Sequence, residues 1–139
     1  MSEDKLILII DDDILDIKIM LRALKDTNFT CRTYVVNNGK EALEYLVDKQ
    51  NEKPWLIFSD INMPIMNGVE FLNEKLKYKH LVKIPVIIFT TSNTEVDRNN
   101  CLKAGASGYM VKPIEHDNFK KLINSVKVYW QKSEYYPNS

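Results

Sequence analysis

Large apolar residues fall in five short runs, Lys5 to Ile10, Cys31 to Val36, Trp55 to Asp60, Pro85 to Phe89 and Gly108 to Val111, each giving way to polar residues. The first is continuous rather than alternating, as in a strand covered on both faces. The second is β-branched and aromatic, and Asn37-Asn38-Gly39 turns out of it. Between the runs apolar residues recur at helical spacing: Ile14, Ile17, Leu21 and Leu24; Ala42, Leu43, Leu46 and Val47; Val69, Leu72 and Leu76. Phe119, Leu122, Ile123, Val126 and Trp130 form a last stripe over His116 to Lys132. Asp13 or a neighbour caps the first helix, with Ile14 onward packing inward. A helix from Glu95 to Ala104 ends at Gly105, and His80 to Ile84 is a loop closed by Pro85. Five strands alternating with five helices predict a single-domain α/β fold, a doubly wound parallel sheet.

In such sheets ligands bind at the carboxyl ends of the strands. Four runs end in reactive groups: Asp11 and Asp12, then Asp60, Thr90 and Lys112. Adjacent strands lie about 4.8 Å apart, so these carboxylates are expected within several Å of one another. At an effective dielectric of 20, two unit charges near 4 Å repel by about 4 kcal/mol. Lys112 offsets one of three charges, and a divalent cation offsets the rest. Oxygen donors without His or Cys favour Mg²⁺, with Mn²⁺ the alternative, over zinc. A carboxylate beside a hard cation, a lysine and a hydroxyl is arranged to attack phosphorus. Neither G-x-x-x-x-G-K-[ST] nor G-x-G-x-x-G occurs, so the phosphoryl donor is not a nucleotide held by those loops.

Composition narrows the field. The 139 residues, 45% hydrophobic, suit one domain with one core. Nineteen Lys and Arg balance nineteen Asp and Glu, so no net field draws in nucleic acid or an anionic membrane. The apolar run Leu6 to Ile10 is too short for a signal or membrane segment, which predicts a cytoplasmic protein. Cys31 and Cys101 lack metal or redox spacing and read as packed thiols, while His80 and His116 read as surface residues.

Taken singly, the aspartates are a helix cap and a strand-end turn, Lys112 a surface charge and Tyr109 a core aromatic. Their joint order says more. Asp11-Asp12, Asp60-Ile61-Asn62-Met63-Pro64 with Gly68, Pro85 through Thr90, and Gly108-Tyr109-Met110-Val111-Lys112-Pro113 closely resemble the receiver domain of two-component response regulators. The resemblance spans Lys5 to Lys127 and implies the flavodoxin-like (βα)5 strand order 2-1-3-4-5. It implies that Asp60 accepts a phosphoryl group from the phosphohistidine of a sensor histidine kinase or phosphotransfer protein. The chain would then be no ordinary enzyme, but an acceptor that catalyses its own phosphotransfer and dephosphorylation. Asp12 and Asp60 would bind Mg²⁺ directly, with the Asn62 backbone carbonyl as a further ligand and Asp11 acting through water. Thr90 would hydrogen-bond the phosphoryl group and Lys112 would pair with it, while Tyr109 moves between outward and inward positions. A cis Lys112-Pro113 bond is also implied.

Thr91 departs from the Ala or Gly common at that position, leaving phosphotransfer and dephosphorylation rates open. Thr90 is chosen by its register from Pro85, with Thr91 the alternative. The receiver is expected over residues 1–132, with a tail over 133–139 that carries Tyr135 and Tyr136. This extension resembles the stand-alone receivers that accompany phytochromes. It implies a homodimer through the fourth helix, fifth strand, fifth helix and extension; Trp130 covering the edge of the core explains it equally well. Two other functions compete. A Mg²⁺-dependent phosphatase is disfavoured by Asn62, where it would carry a second acid, and a phosphorylation-independent interaction module by the intact acidic site.

Overall fold

Each apolar run becomes a strand of one parallel sheet. The structure, a computed structural model, describes residues 5–27, 31–113 and 115–132, the last four by backbone alone. β1 (Lys5–Ile10) leads to α1 (Ile14–Lys25), β2 (Cys31–Val36) to α2 (Gly39–Val47), and β3 (Leu56–Ser59) to α3 (Gly68–Lys75). A 3-10 turn (Lys79–Leu81) overlapping the predicted loop His80 to Ile84 precedes β4 (Val86–Thr90), α4 (Glu95–Lys103), β5 (Gly108–Val111) and α5 (His116–Lys132). The order is β2-β1-β3-β4-β5, all parallel, as the resemblance implied.

Strand alternation divides the core in two. Leu8, Ile10, Ile57, Val86 and Ile88 pack with Ala42 and Leu46 of α2, Phe71 and Leu72 of α3, and Cys101 of α4. Ile7, Ile9, Leu56, Phe58, Ile87 and Phe89 pack with Met20, Ala23 and Leu24 of α1 and Phe119 and Ile123 of α5. The Phe119 ring lies 5.8 Å from both Phe58 and Phe89, pinning α5 to the sheet. Each large apolar side chain buried this way stabilises by about 1.5–3 kcal/mol, which is why both faces must be covered. Cys101 is fully buried, and burial pushes its thiol up to about 11, consistent with a packed group.

The helix starts follow from capping side chains. Asp13 accepts from the Leu15 and Asp16 N–H groups, Asn38 from Glu41, and Thr94 from Asp97; Asn67 and Glu70 form a reciprocal capping box. Gly105, at φ 101°, follows α4 as expected. One expectation fails: Ile14 does not pack inward but is 68% exposed, with Leu15 beside it at 66%. The first turn of α1 stands past Ile10, where β1 ends, so the inward stripe begins at Met20. Trp130 and the tail lie outside the residues whose side chains are described.

Lys75, only 4% exposed at the end of α3, has no carboxylate partner among the described residues; its Nζ donates to the Val82 carbonyl at 3.4 Å. Burial pushes its pKa down from 10.5 to about 8. Below pH 8 the native state holds a penalised charge, and between about 8 and 10.5 the unfolded chain binds more protons, so this group's contribution to stability rises with pH. At pH 7 Lys75→Met is therefore expected to be more stable than the wild type, by up to ~3 kcal/mol. Urea unfolding of both proteins should show that advantage shrinking through this window; a difference independent of pH would exclude charge burial as its cause.

Candidate functional site

Strand register brings the reactive groups together. Ile10 is level with Ser59 and Ser59 with Ile88, so Asp11 and Asp60 leave adjacent strands side by side. Thr90 is level with Val111, which places Lys112 one residue beyond Thr90. The last rungs continue the ladder: Asp11 N–H donates to the Val36 carbonyl at 3.0 Å, Asp60 N–H to Ile10 at 3.0 Å, and Lys112 N–H to Thr90 at 2.6 Å. The Lys112-Pro113 bond is cis.

One oxygen from each of Asp11, Asp12 and Asp60 lies within 4.8 Å of the others. Lys112 reaches in from β5, with its Nζ 2.8 Å from Asp11 Oδ2, 2.9 Å from Asp16 Oδ2 and 3.5 Å from Asp60 Oδ2. Its side chain is 5% exposed, and its ammonium also lies 5.2 Å from the centre of the Phe89 ring. Burial works to lower the Lys112 pKa, but hydrogen bonds to Asp11 and Asp16 and the Asp60 charge prevail and raise it. Burial pushes the Asp11 carboxyl up, against the Lys112 hydrogen bond, and Asp60 adds to the rise. A single lysine is shared among three carboxylates. An all-oxygen donor set, with one buried, one half-buried and one exposed carboxylate, fits a hard divalent cation. Asn62 lies two residues beyond Asp60 and is exposed.

The loop from Asp60 to Gly68 is tied at both ends. Ile61 N–H donates to Asp60 Oδ1 at 2.7 Å and Ser59 Oγ to the Asp60 carbonyl at 2.8 Å. Gly68 N–H donates to Ile61 and Gly39 N–H to Met66, closing the loop against β3 and α2. Met63 is buried and Met66 packs on the core, so the chain reverses between them at Pro64 and Ile65. Met66 N–H donates to the Pro64 carbonyl at 2.7 Å, a γ-turn with Ile65 at φ 70° and its side chain 76% exposed. A β-branched residue there is strained. Ile65→Asn is expected to stabilise the fold by about 1 kcal/mol, measured by urea unfolding. A destabilised Asn variant would mean that the Ile65 side chain contributes more than its backbone loses.

Thr90 is fully buried, and its Oγ1 accepts from Ser92 N–H at 3.3 Å, whereas Thr91 is exposed. Tyr109 is half-buried and donates its hydroxyl to the Ser92 carbonyl at 3.0 Å, with the Arg98 guanidinium 5.3 Å from the ring centre. Ser92 Oγ donates to Asp97. Ser92 thus contacts both Thr90 and Tyr109.

The structure brings together Asp11, Asp12, Asp60 and Lys112, with Thr90 at the neighbouring strand end and Tyr109 one loop away. Sequence reading missed Asp16 and Ser92. The signal for Asp16 was faint, since an acid in a first helical turn is ordinary. His80 and His116 are exposed as expected, though His116 pairs with Asp26 at 2.9 Å.

A parallel doubly wound sheet with an acidic cluster and a buried lysine at its carboxyl edge defines a receiver. The chain matches the response regulator receiver domain family over residues 7–124 and belongs to it. It is similar to the two-component response regulator ARR17 of Arabidopsis thaliana, 34% identical over 131 residues, covering 88% of this chain and 84% of that protein. Among solved structures it is similar to response regulators. The phosphorylated cyanobacterial phytochrome response regulator RcpA is 26% identical with a TM-score of 0.79, covering 94% of this chain and 96% of that one. The Mn²⁺-bound form of response regulator Rcp1 is 25% identical with a TM-score of 0.80, covering 96% and 99%.

Proposed function

We propose that Asp60 accepts a phosphoryl group from the phosphohistidine of a sensor histidine kinase or phosphotransfer protein, and that the chain signals through the resulting change at Thr90 and Tyr109. The observation that carries this reading is the buried Lys112 ammonium, held 3.5 Å from Asp60 and 2.8 Å from Asp11. In the transfer an Asp60 oxygen bonds to phosphorus as the phosphorus–nitrogen bond breaks; the electron pair stays on the imidazole, which takes up a proton. Lys112 and the Thr90 hydroxyl offer donors to the phosphoryl oxygens. Asp11, Asp12 and Asp60, with the Asn62 carbonyl, would hold Mg²⁺ or Mn²⁺, which supplies positive charge to offset that on the phosphoryl oxygens. The Mn²⁺-bound Rcp1 and phosphorylated RcpA support this reading by similarity.

Phosphorylation adds roughly one negative charge and further acceptor oxygens. If the Thr90 hydroxyl turns toward them, the Ser92 N–H loses its acceptor and the Ser92 carbonyl that holds Tyr109 shifts. The surface of α4, β5 and α5 changes with it. That surface, with the extension, is the proposed contact for a second copy, within a receiver over 1–132 and a tail over 133–139. A cytoplasmic setting goes with a kinase partner; among the described residues no helix is long and apolar enough to cross a membrane.

The test is intact mass after incubation with Mg²⁺ and acetyl phosphate, with Asp60→Asn and a chelator as controls and sizing chromatography on the same samples. A single hydroxylamine-labile adduct, absent from both controls, is expected. An adduct that survives in Asp60→Asn would move the acceptor elsewhere, and no adduct at all would leave the fold as an interaction module.

A further inference from the structure

The Lys112 ammonium has three N–H donors, and two are taken. Asp11 accepts one at 2.8 Å and Asp16 another at 2.9 Å, whereas Asp60, at 3.5 Å, is an ion-pair contact beyond good hydrogen-bond length. Asp16 lies outside the cluster formed by Asp11, Asp12 and Asp60. It sits in the first turn of α1, where its backbone N–H is held by the Asp13 cap at 3.3 Å, and its side chain is 26% exposed. An acid at this place would favour the helix wherever it pointed. What sets it apart is its aim, at a lysine 5% exposed and 96 residues further along the chain.

We infer that Asp16 is a positioning residue that holds Lys112 back from Asp60 and competes with the phosphoryl group for the lysine. The inference rests on the reading of Asp60 as the acceptor. In the resting site Asp11 and Asp16 together hold the ammonium on the α1 side of the acidic cluster. A phosphoryl group on Asp60 draws the ammonium toward its oxygens, and the Asp16 contact is the one released. Asp11 can follow, because it belongs to the cluster; Asp16, on the outer flank and tied to the cap, cannot. Asp16 thus favours the unphosphorylated state and sets how strongly the lysine responds.

The test uses beryllofluoride, which occupies the phosphoryl position on an acceptor aspartate, with saturating Mg²⁺ and bound fluoride read by ¹⁹F NMR. Asp16→Asn should bind it about tenfold tighter than the wild type, the worth of one charge-assisted hydrogen bond released. Asp16→Glu should return affinity toward the wild-type value. In a Lys112→Ala background, Asp16→Asn should make no difference, because the competition runs through the lysine. A gain that persists in that background would overturn the inference in favour of repulsion through space. Weaker or unchanged binding in Asp16→Asn would overturn it as well, with urea unfolding confirming that the variant is folded. A wild-type chain that binds no beryllofluoride would instead bring down the acceptor reading on which the inference rests.

Discussion

Asp60→Asn is expected to abolish phosphoryl incorporation completely while making the metal-free protein more stable. Asn presents a weak nucleophile, and neither Asp11, bound to Lys112, nor the exposed Asp12 is expected to take its place. The stability gain follows from charge. Oxygens of the three aspartates lie within 4.8 Å of one another, where two unit charges repel by about 3.5 kcal/mol at an effective dielectric of 20. Removing the Asp60 charge relieves two such repulsions and loses one attraction, to Lys112 at 3.5 Å. The net gain in chelator is expected to be about 1–2 kcal/mol after solvent screening. With millimolar Mg²⁺ the order should narrow or reverse, because a ligand that binds only the native state stabilises by RT ln(1 + [L]/Kd) and the wild type has the fuller ligand set. Urea unfolding in both media measures this directly. A variant less stable in chelator would mean that the Lys112 attraction outweighs the crowding of acids.

The layers of this fold were open to sequence reading because a strand covered on both faces must be apolar throughout. Leu6 to Ile10 and Val86 to Phe89 are apolar at every position and are buried. The strand order was different: nothing in the spacing of the runs distinguishes 2-1-3-4-5 from other windings, and resemblance to the family supplied it. Asp60 and Lys112 were legible as strand-end groups, yet their meeting depends on that order. Asp16 was hidden because its partner is 96 residues away and its own neighbourhood offers a sufficient local explanation, the cap at Asp13. Ile14 was misread because helical periodicity reports a stripe but not where the sheet beneath it stops. Ile65 carries no sequence signal of its φ of 70°; the turn is imposed by the burial of Met63 and Met66 on either side.

Gly68→Ala is expected to be the most damaging single-methyl change near the site. A Cβ at Gly68 would overlap the Asp60 carbonyl oxygen and come within 3.0 Å of Ile61 Cα, so backbone rather than a yielding side chain must move. That backbone is fixed from three directions. Ser59 Oγ donates to the same Asp60 carbonyl, Asp60 N–H binds Ile10, and Gly68 N–H binds Ile61 at 2.8 Å. Relief requires either moving α3 off the sheet, where Phe71 and Leu72 are buried, or rotating the Asp60 peptide. The first loses packing and the second displaces the carboxylate, and overpacking of this kind costs about 1–3 kcal/mol, rising where backbone cannot give. We expect a loss of about 3 kcal/mol in urea unfolding, with labelling by acetyl phosphate slowed on the order of a hundredfold, since misplacing a reacting group by about 1 Å has that effect. Gly108→Ala is the control, because a Cβ there would meet Ile87 at an ordinary 3.6 Å. If both variants unfold alike, the approach of α3 to Asp60 is not the constraint that aims the carboxylate. If Gly68→Ala alone loses both stability and labelling, the same close contact that packs α3 also sets the acceptor's position.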